Sequence, residues 1–171
     1  LRRQGQLEEA LKMQQGALAI RLKILGSDHI DTAQSYNNLA VVLQSRGGLE
    51  EAMAMNQKAL AIRLKTIGRD HTDTAQSYTN IASVLDTQGK LEEALVVYQD
   101  ALDIRLKVLG QDHHLTIDSY NNTALALRKQ GKLEDAIRLY RTVLGIRLKT
   151  LGPHHVNTAK TYNNMAQVLK N

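Results

Sequence analysis

Apolar side chains recur along this chain at helical intervals, in short stretches that glycines interrupt at a fixed distance. Between Asp31 and Arg46 the positions Tyr36, Leu39, Ala40 and Leu43 fall at the spacing of one helix face. Gly47 then breaks the stretch, because glycine reaches the left-handed conformation of a helix end without steric cost. A second helical stretch runs from Leu49 to Ile67 and stops at Gly68. The pattern then starts again. Gly5, Gly47, Gly89 and Gly131 lie 42 residues apart, and so do Gly26, Gly68, Gly110 and Gly152. Leu7, Leu49, Leu91 and Leu133 keep that register, as do Tyr36, Tyr78, Tyr120 and Tyr162. Agreement at so many columns marks a repeat of two helices. One such pair cannot bury its apolar face alone, so neighbours must stack.

The fold class that follows is all-α, a solenoid of antiparallel helix pairs winding into a right-handed superhelix. About four 42-residue repeats are expected, with helix pairs near 5–25, 31–67, 73–109 and 116–151 and a last unpaired helix at 156–170. Asp31 with Gln34, and Asp73 with Gln76, have the spacing of a capping box at a helix start. Leu115 stands at that place in the third unit, which moves its expected start to Thr116. Ala40, Ala52 and Ala59 are the small residues expected where two helix backbones approach closely. A long coiled coil is the competing helical reading, but it needs an unbroken heptad run that the paired glycines forbid. The chain starts and stops partway through the period and begins without Met, so a segment of a longer protein is expected.

Charge refines this picture. Each second helix opens with acids, as at Glu50 and Glu51, and closes with bases, as at Arg63 and Lys65, complementing the helix dipole. The net charge of +5 is unevenly spread. Residues 1–127 hold 13 Lys/Arg against 15 Asp/Glu, whereas residues 128–171 hold 9 against 2. Confinement of the positive charge to one end, without an aromatic stacking platform, argues against nucleic acid and for a protein partner with an acidic segment.

The motifs Tyr120-Asn121-Asn122-x-Ala124 and Gln88-Gly89-Lys90-Leu91-Glu92-Glu93-Ala94, with Leu-Gly-x-Asp-His following each second helix in the first units, resemble the 42-residue tetratricopeptide (TPR) repeats of kinesin light chains and their relatives. The resemblance spans essentially the whole chain. It implies a TPR-type α-solenoid, a cytoplasmic interaction scaffold or adaptor whose inner groove takes an extended cargo peptide. It also implies that asparagines of each first helix contact the peptide backbone. The second asparagine of the motif is matched by Asn38, Asn80, Asn122 and Asn164. The first is matched by Asn37, Asn121 and Asn163, with Thr79 in its place in the second unit.

The residues point to the same stripe. Asn38 lies about 200° round the helix from Tyr36, opposite the core stripe. Gln34, Val41 and Ser45 share that side; so do Gln76 beside Asn80, Lys129 beside Asn122, and Lys160, Gln167 and Asn171 beside Asn164. An asparagine side chain can donate to and accept from a peptide backbone at once. The competing reading is an asparagine ladder that bonds adjacent helices. Two further function classes stay open: a structural subunit of a large assembly, and a regulatory arm of a larger signalling protein.

Candidate chemistry is sparse. There is no cysteine, which excludes thiol catalysis, disulfides and thiolate metal sites. His29, His71, His113 and His155 recur once per unit, in loops too far apart to converge on a metal, so they are expected to structure those loops. Adjacent acids such as Glu50 and Glu51 diverge by about 100° on a helix, and no phosphate-binding glycine motif is present. No enzyme, cofactor or metal is expected. The longest apolar runs have five residues, too short to insert in a membrane.

Overall fold

A computed structural model describes residues 2–170, with side chains from residue 5 onward. The described residues form eight helices and no strand, and 84% of them are helical. In order they are α1 (Arg2–Leu25), α2 (Ile30–Arg46), α3 (Leu49–Thr66), α4 (Thr72–Thr87), α5 (Leu91–Leu109), α6 (His114–Lys129), α7 (Leu133–Thr150) and α8 (Val156–Leu169). Each helix packs on the next, and α2 also touches α4, so first helices approach one another across the stack. This is an all-α solenoid. Asn171, the last position of the expected stripe, lies outside the described residues.

Alanine sets the distance between backbones. Ala40, Ala52, Ala59, Ala82, Ala94, Ala124 and Ala136 are completely buried. Leu39, Leu43 and Val84 fill the space around them in the first unit, and Ile137 and Tyr140 do so in the last. The turn inside each pair is made by glycine. Gly47 has φ 92°, its N–H donates to the Gln44 carbonyl, and the Gly48 N–H reaches back to the Leu43 carbonyl at 2.9 Å. These bonds satisfy carbonyls that a helix end otherwise leaves bare. Gly5 differs from its counterparts, because α1 runs straight through it. Glycine permits a turn without compelling one, and a continuous helix keeps its hydrogen bonds here.

The helix starts correct the sequence reading. Asp31 and Asp73 are first-turn residues and not caps. The caps are the recurring histidines: Nδ1 of His29, His71 and His155 accepts the N–H two residues on at 3.1 Å, and that of His113 does so at 3.2 Å. Because His113 caps α6, that helix begins at His114 and not at Thr116. Aspartate was the stronger expectation because its oxygen is the commoner cap. A neutral imidazole nitrogen accepts the same bond.

Tyr98 illustrates how tightly the middle of the stack excludes water. Its hydroxyl is pushed up to about 12, chiefly by burial and further by the negative charge of Asp86, with a hydrogen bond to Ser83 opposing. The neutral form is therefore favoured in the folded state. Its contribution is whole below the ordinary tyrosine value and is lost as pH rises from about 10 to about 12. Tyr98→Phe is expected to flatten alkaline unfolding over that window by roughly 2–3 kcal/mol, read from urea midpoints at pH 9 and pH 12.

Candidate functional site

The second asparagines Asn38, Asn80, Asn122 and Asn164 occupy equivalent positions on α2, α4, α6 and α8, and each is half-buried. They form a polar stripe along the first helices. Its elements are tied to one another by side chains. Gln44 of α2 donates to Ser83 Oγ and Thr87 Oγ1 of α4 at 3.0 Å. Lys129 of α6 pairs with Asp86 of α4 at 2.5 Å, and Arg128 of α6 donates to Gln167 of α8 at 2.7 Å.

The four amides are not equally engaged. Gln34 Nε2 donates to Asn38 Oδ1, and Gln76 Nε2 to Asn80 Oδ1, both at 2.8 Å. That leaves the amide nitrogens of Asn38 and Asn80 to donate elsewhere. Asn122 and Asn164 make no side-chain bond among the described residues, so both ends of each amide are available.

Several neighbours of the stripe are already engaged within the fold. Asn37 is 2% exposed and donates to Ser77 of α4 at 3.3 Å, since its place on α2 turns it onto the next first helix. Asn121 is half-buried and donates to the carbonyl of Ile117, one turn back on α6. Asn163 alone of the three is exposed. Gln34 and Gln76 stay on the stripe, but both ends of each side chain are taken. Lys129 is held by Asp86, whereas Lys160 is exposed and has no ion-pair partner among the described residues.

What takes the other end of each glutamine is a buried arginine. Arg63 Nη2 donates to Gln34 Oε1 at 2.7 Å, while its Nη1 donates at 2.8 Å to the Asp73 carbonyl and to Ser77 Oγ. One guanidinium thus joins α3 to the helices before and after it. Arg105 repeats this with Gln76, the Leu115 carbonyl and Ser119. Arg147 keeps only the Asn157 carbonyl and Thr161, because Asp118 stands where the glutamine would be. Burial depresses all three guanidinium values, with nearby carboxylates opposing: Asp73 for Arg63, and Asp118 for Arg105 and Arg147.

Reading these arginines as helix-dipole partners therefore needs correcting. The exposed helix-end bases are the lysines: Lys65 pairs with Asp28, and Lys107 with Asp70. The signal that distinguishes them was in the sequence. Arg63 follows Ala52, Asn56 and Ala59 at intervals of eleven, seven and four, so it lies on the alanine face of α3. Among the described residues no group of His, Asp or Glu could hold a metal ion, and no helix is long and apolar enough to cross a membrane.

A stack of helix pairs with a polar stripe on its first helices defines an interaction scaffold. The chain belongs to the tetratricopeptide repeat family, whose model matches residues 1–65, 49–107, 73–149 and 115–170. Among solved structures it is similar to a Podosopora anserina protein of kinesin light chain type built of nearly identical TPR-like repeats. That similarity has 26% identity and a TM-score of 0.85, and covers 98% of this chain and 80% of that one. BtubC (BKLC) from P. vanneervenii shares the fold at 21% identity and a TM-score of 0.85, over 99% of this chain and 67% of that one. The apo form of RapI shares it at 18% identity and a TM-score of 0.80, over 98% of this chain and 58% of that one. No curated protein matches the sequence.

Proposed function

We propose that this scaffold binds an extended peptide segment of a partner protein along the first-helix stripe, as a kinesin light chain-like cargo or adaptor module. The observation that carries the reading is the repetition of one half-buried side-chain amide at the same place on four successive first helices, each with hydrogen-bonding capacity unspent. An extended peptide has free N–H and C=O groups that such amides complement. The basic last units favour an acidic part of the partner near α8, where Lys160 is exposed on the stripe without an ion-pair partner among the described residues. Binding without catalysis fits a site that offers amides and no paired acid and base. A cytoplasmic setting accords with an adaptor of this type.

Asn122 and Asn164 provide the test because neither makes a side-chain hydrogen bond among the described residues. Peptides selected from a random display library on the wild-type chain are expected to bind the Asn122→Ala, Asn164→Ala double variant about ten-fold more weakly or worse. Each lost bond contributes about 0.5–1.5 kcal/mol, and 1.4 kcal/mol is a factor of ten. Melting should stay within about 2 °C of wild type. Undiminished peptide binding sinks the reading, and a sharp drop in melting makes the asparagines a structural ladder.

A structural role in a larger assembly draws on a different surface. Met13, Ile20 and Ile24 are each at least 60% exposed and share one face of α1. If that role prevails, an assembled partner will not be displaced by the selected peptides.

A further inference from the structure

A large cavity lies away from the asparagine stripe. It opens between the second helices α5 and α7 over Thr123 and Leu127 of α6, with a volume of about 610 Å³. On α6 these two residues lie about 100–140° round from Asn122. The floor is apolar: Leu127 is buried, Leu95 and Leu139 are half-buried, and Val96 is 65% exposed.

The rim is acidic in a chain whose net charge is positive. Asp100, Asp103 and Asp135 line the cavity against one base, Arg138. Asp100 is held by Arg69 at 2.7 Å and Asp135 by Arg138 at 2.5 Å. Among the described residues Asp103 meets only the side-chain amide of Gln99, at 2.8 Å, and no cation. One unit earlier, Lys58 and Ala61 stand at the positions of Asp100 and Asp103. The acidic rim is therefore particular to this groove.

We propose that the α5–α7 groove is a second docking surface, and that it takes an amphipathic helix of a partner whose apolar stripe is flanked by lysine or arginine. The apolar floor selects the helical form. An extended segment laid there would leave backbone N–H and C=O groups facing leucine and valine, whereas a helix satisfies them internally. A third helix between two aligned ones also meets the ridges and grooves that helices present to one another. Asp103 supplies the charge complement, since a cation docked against it replaces no existing ion pair.

The probe is a fluorescent peptide of about 14 residues with a leucine stripe and lysine flanks, titrated by polarisation, beside a counterpart with glutamate flanks. The leucine–lysine peptide is expected to saturate at one per chain. Asp103→Lys and Val96→Asp should each weaken it at least ten-fold with unchanged melting, and the glutamate peptide should bind at least ten-fold more weakly. Ala61→Lys, which puts a lysine at the equivalent position one groove earlier, should leave binding intact. So should the Asn122→Ala, Asn164→Ala variant, which separates this surface from the peptide stripe. Equal binding of both peptides, insensitivity to Asp103→Lys and Val96→Asp, or an equal loss with Ala61→Lys overturns the proposal. A groove that takes an apolar dye but not the leucine–lysine peptide overturns it as well.

Discussion

Ala94→Arg is expected to lower the melting temperature by about 8–16 °C, corresponding to roughly 4 kcal/mol at about 2–4 °C per kcal/mol for a chain of this size. Ala94 is completely buried and packs with Ile81, Ala82, Leu85, Tyr98 and Ala126, so three helices meet around it. An arginine there has two unfavourable choices. It can stay, forcing apart backbones that a methyl group keeps close, with its charge facing hydrocarbon. Otherwise α5 must shift, opening contacts with both α4 and α6. Thermal unfolding followed by circular dichroism decides the matter, and wild-type melting would show that α5 does not pack where the structure has it.

Arg105→Ala should cost about 2–4 kcal/mol despite the removal of a buried charge. The guanidinium pays for its desolvation through three bonds, to Gln76, the Leu115 carbonyl and Ser119. Truncation leaves those acceptors unpaired in a space water does not readily fill. Arg105→Lys tests whether charge or shape matters. A lysine keeps the charge but lacks the planar fork, so it cannot reach α4 and α6 together, and it should recover less than half of the loss. Full recovery by lysine, measured as the urea midpoint, would reduce the site to a simple matter of charge.

These two positions mark how far the sequence can be read. Ala94 was legible because periodicity needs nothing but residue size, and a small residue held at a fixed register in every unit points to close backbones. The solenoid follows from that logic. Arg105 was illegible as a hub because its chemistry depends on partners 10, 14 and 29 residues away in other helices. A base near a helix end already had a sufficient local explanation in the dipole. The histidine caps were hidden for a similar reason, as aspartates stood close to the expected place. On the candidate stripe, the helical period distinguishes Asn38 from the core side. It does not reveal that Asn37, one residue earlier, is covered by α4, because that depends on how neighbouring units nest.

The arginine bridges also bear on how the chain comes apart. In a linear array each unit touches only its neighbours, and unfolding is governed by the balance between the stability of one unit and the coupling across each junction. Arg63 and Arg105 each bind a second helix to the first helix of its own unit through the glutamine and to that of the next unit through a carbonyl and a serine, so two of the three bonds of each count as coupling. In the last pair Asp118 stands in place of the glutamine, so Arg147 lacks the bond within its own unit and keeps those forward to α8. Each of these junctions between units thus keeps its arginine coupling, so neighbouring units are expected to unfold together, while within the last pair α6 and α7 meet through apolar contacts without the glutamine bond.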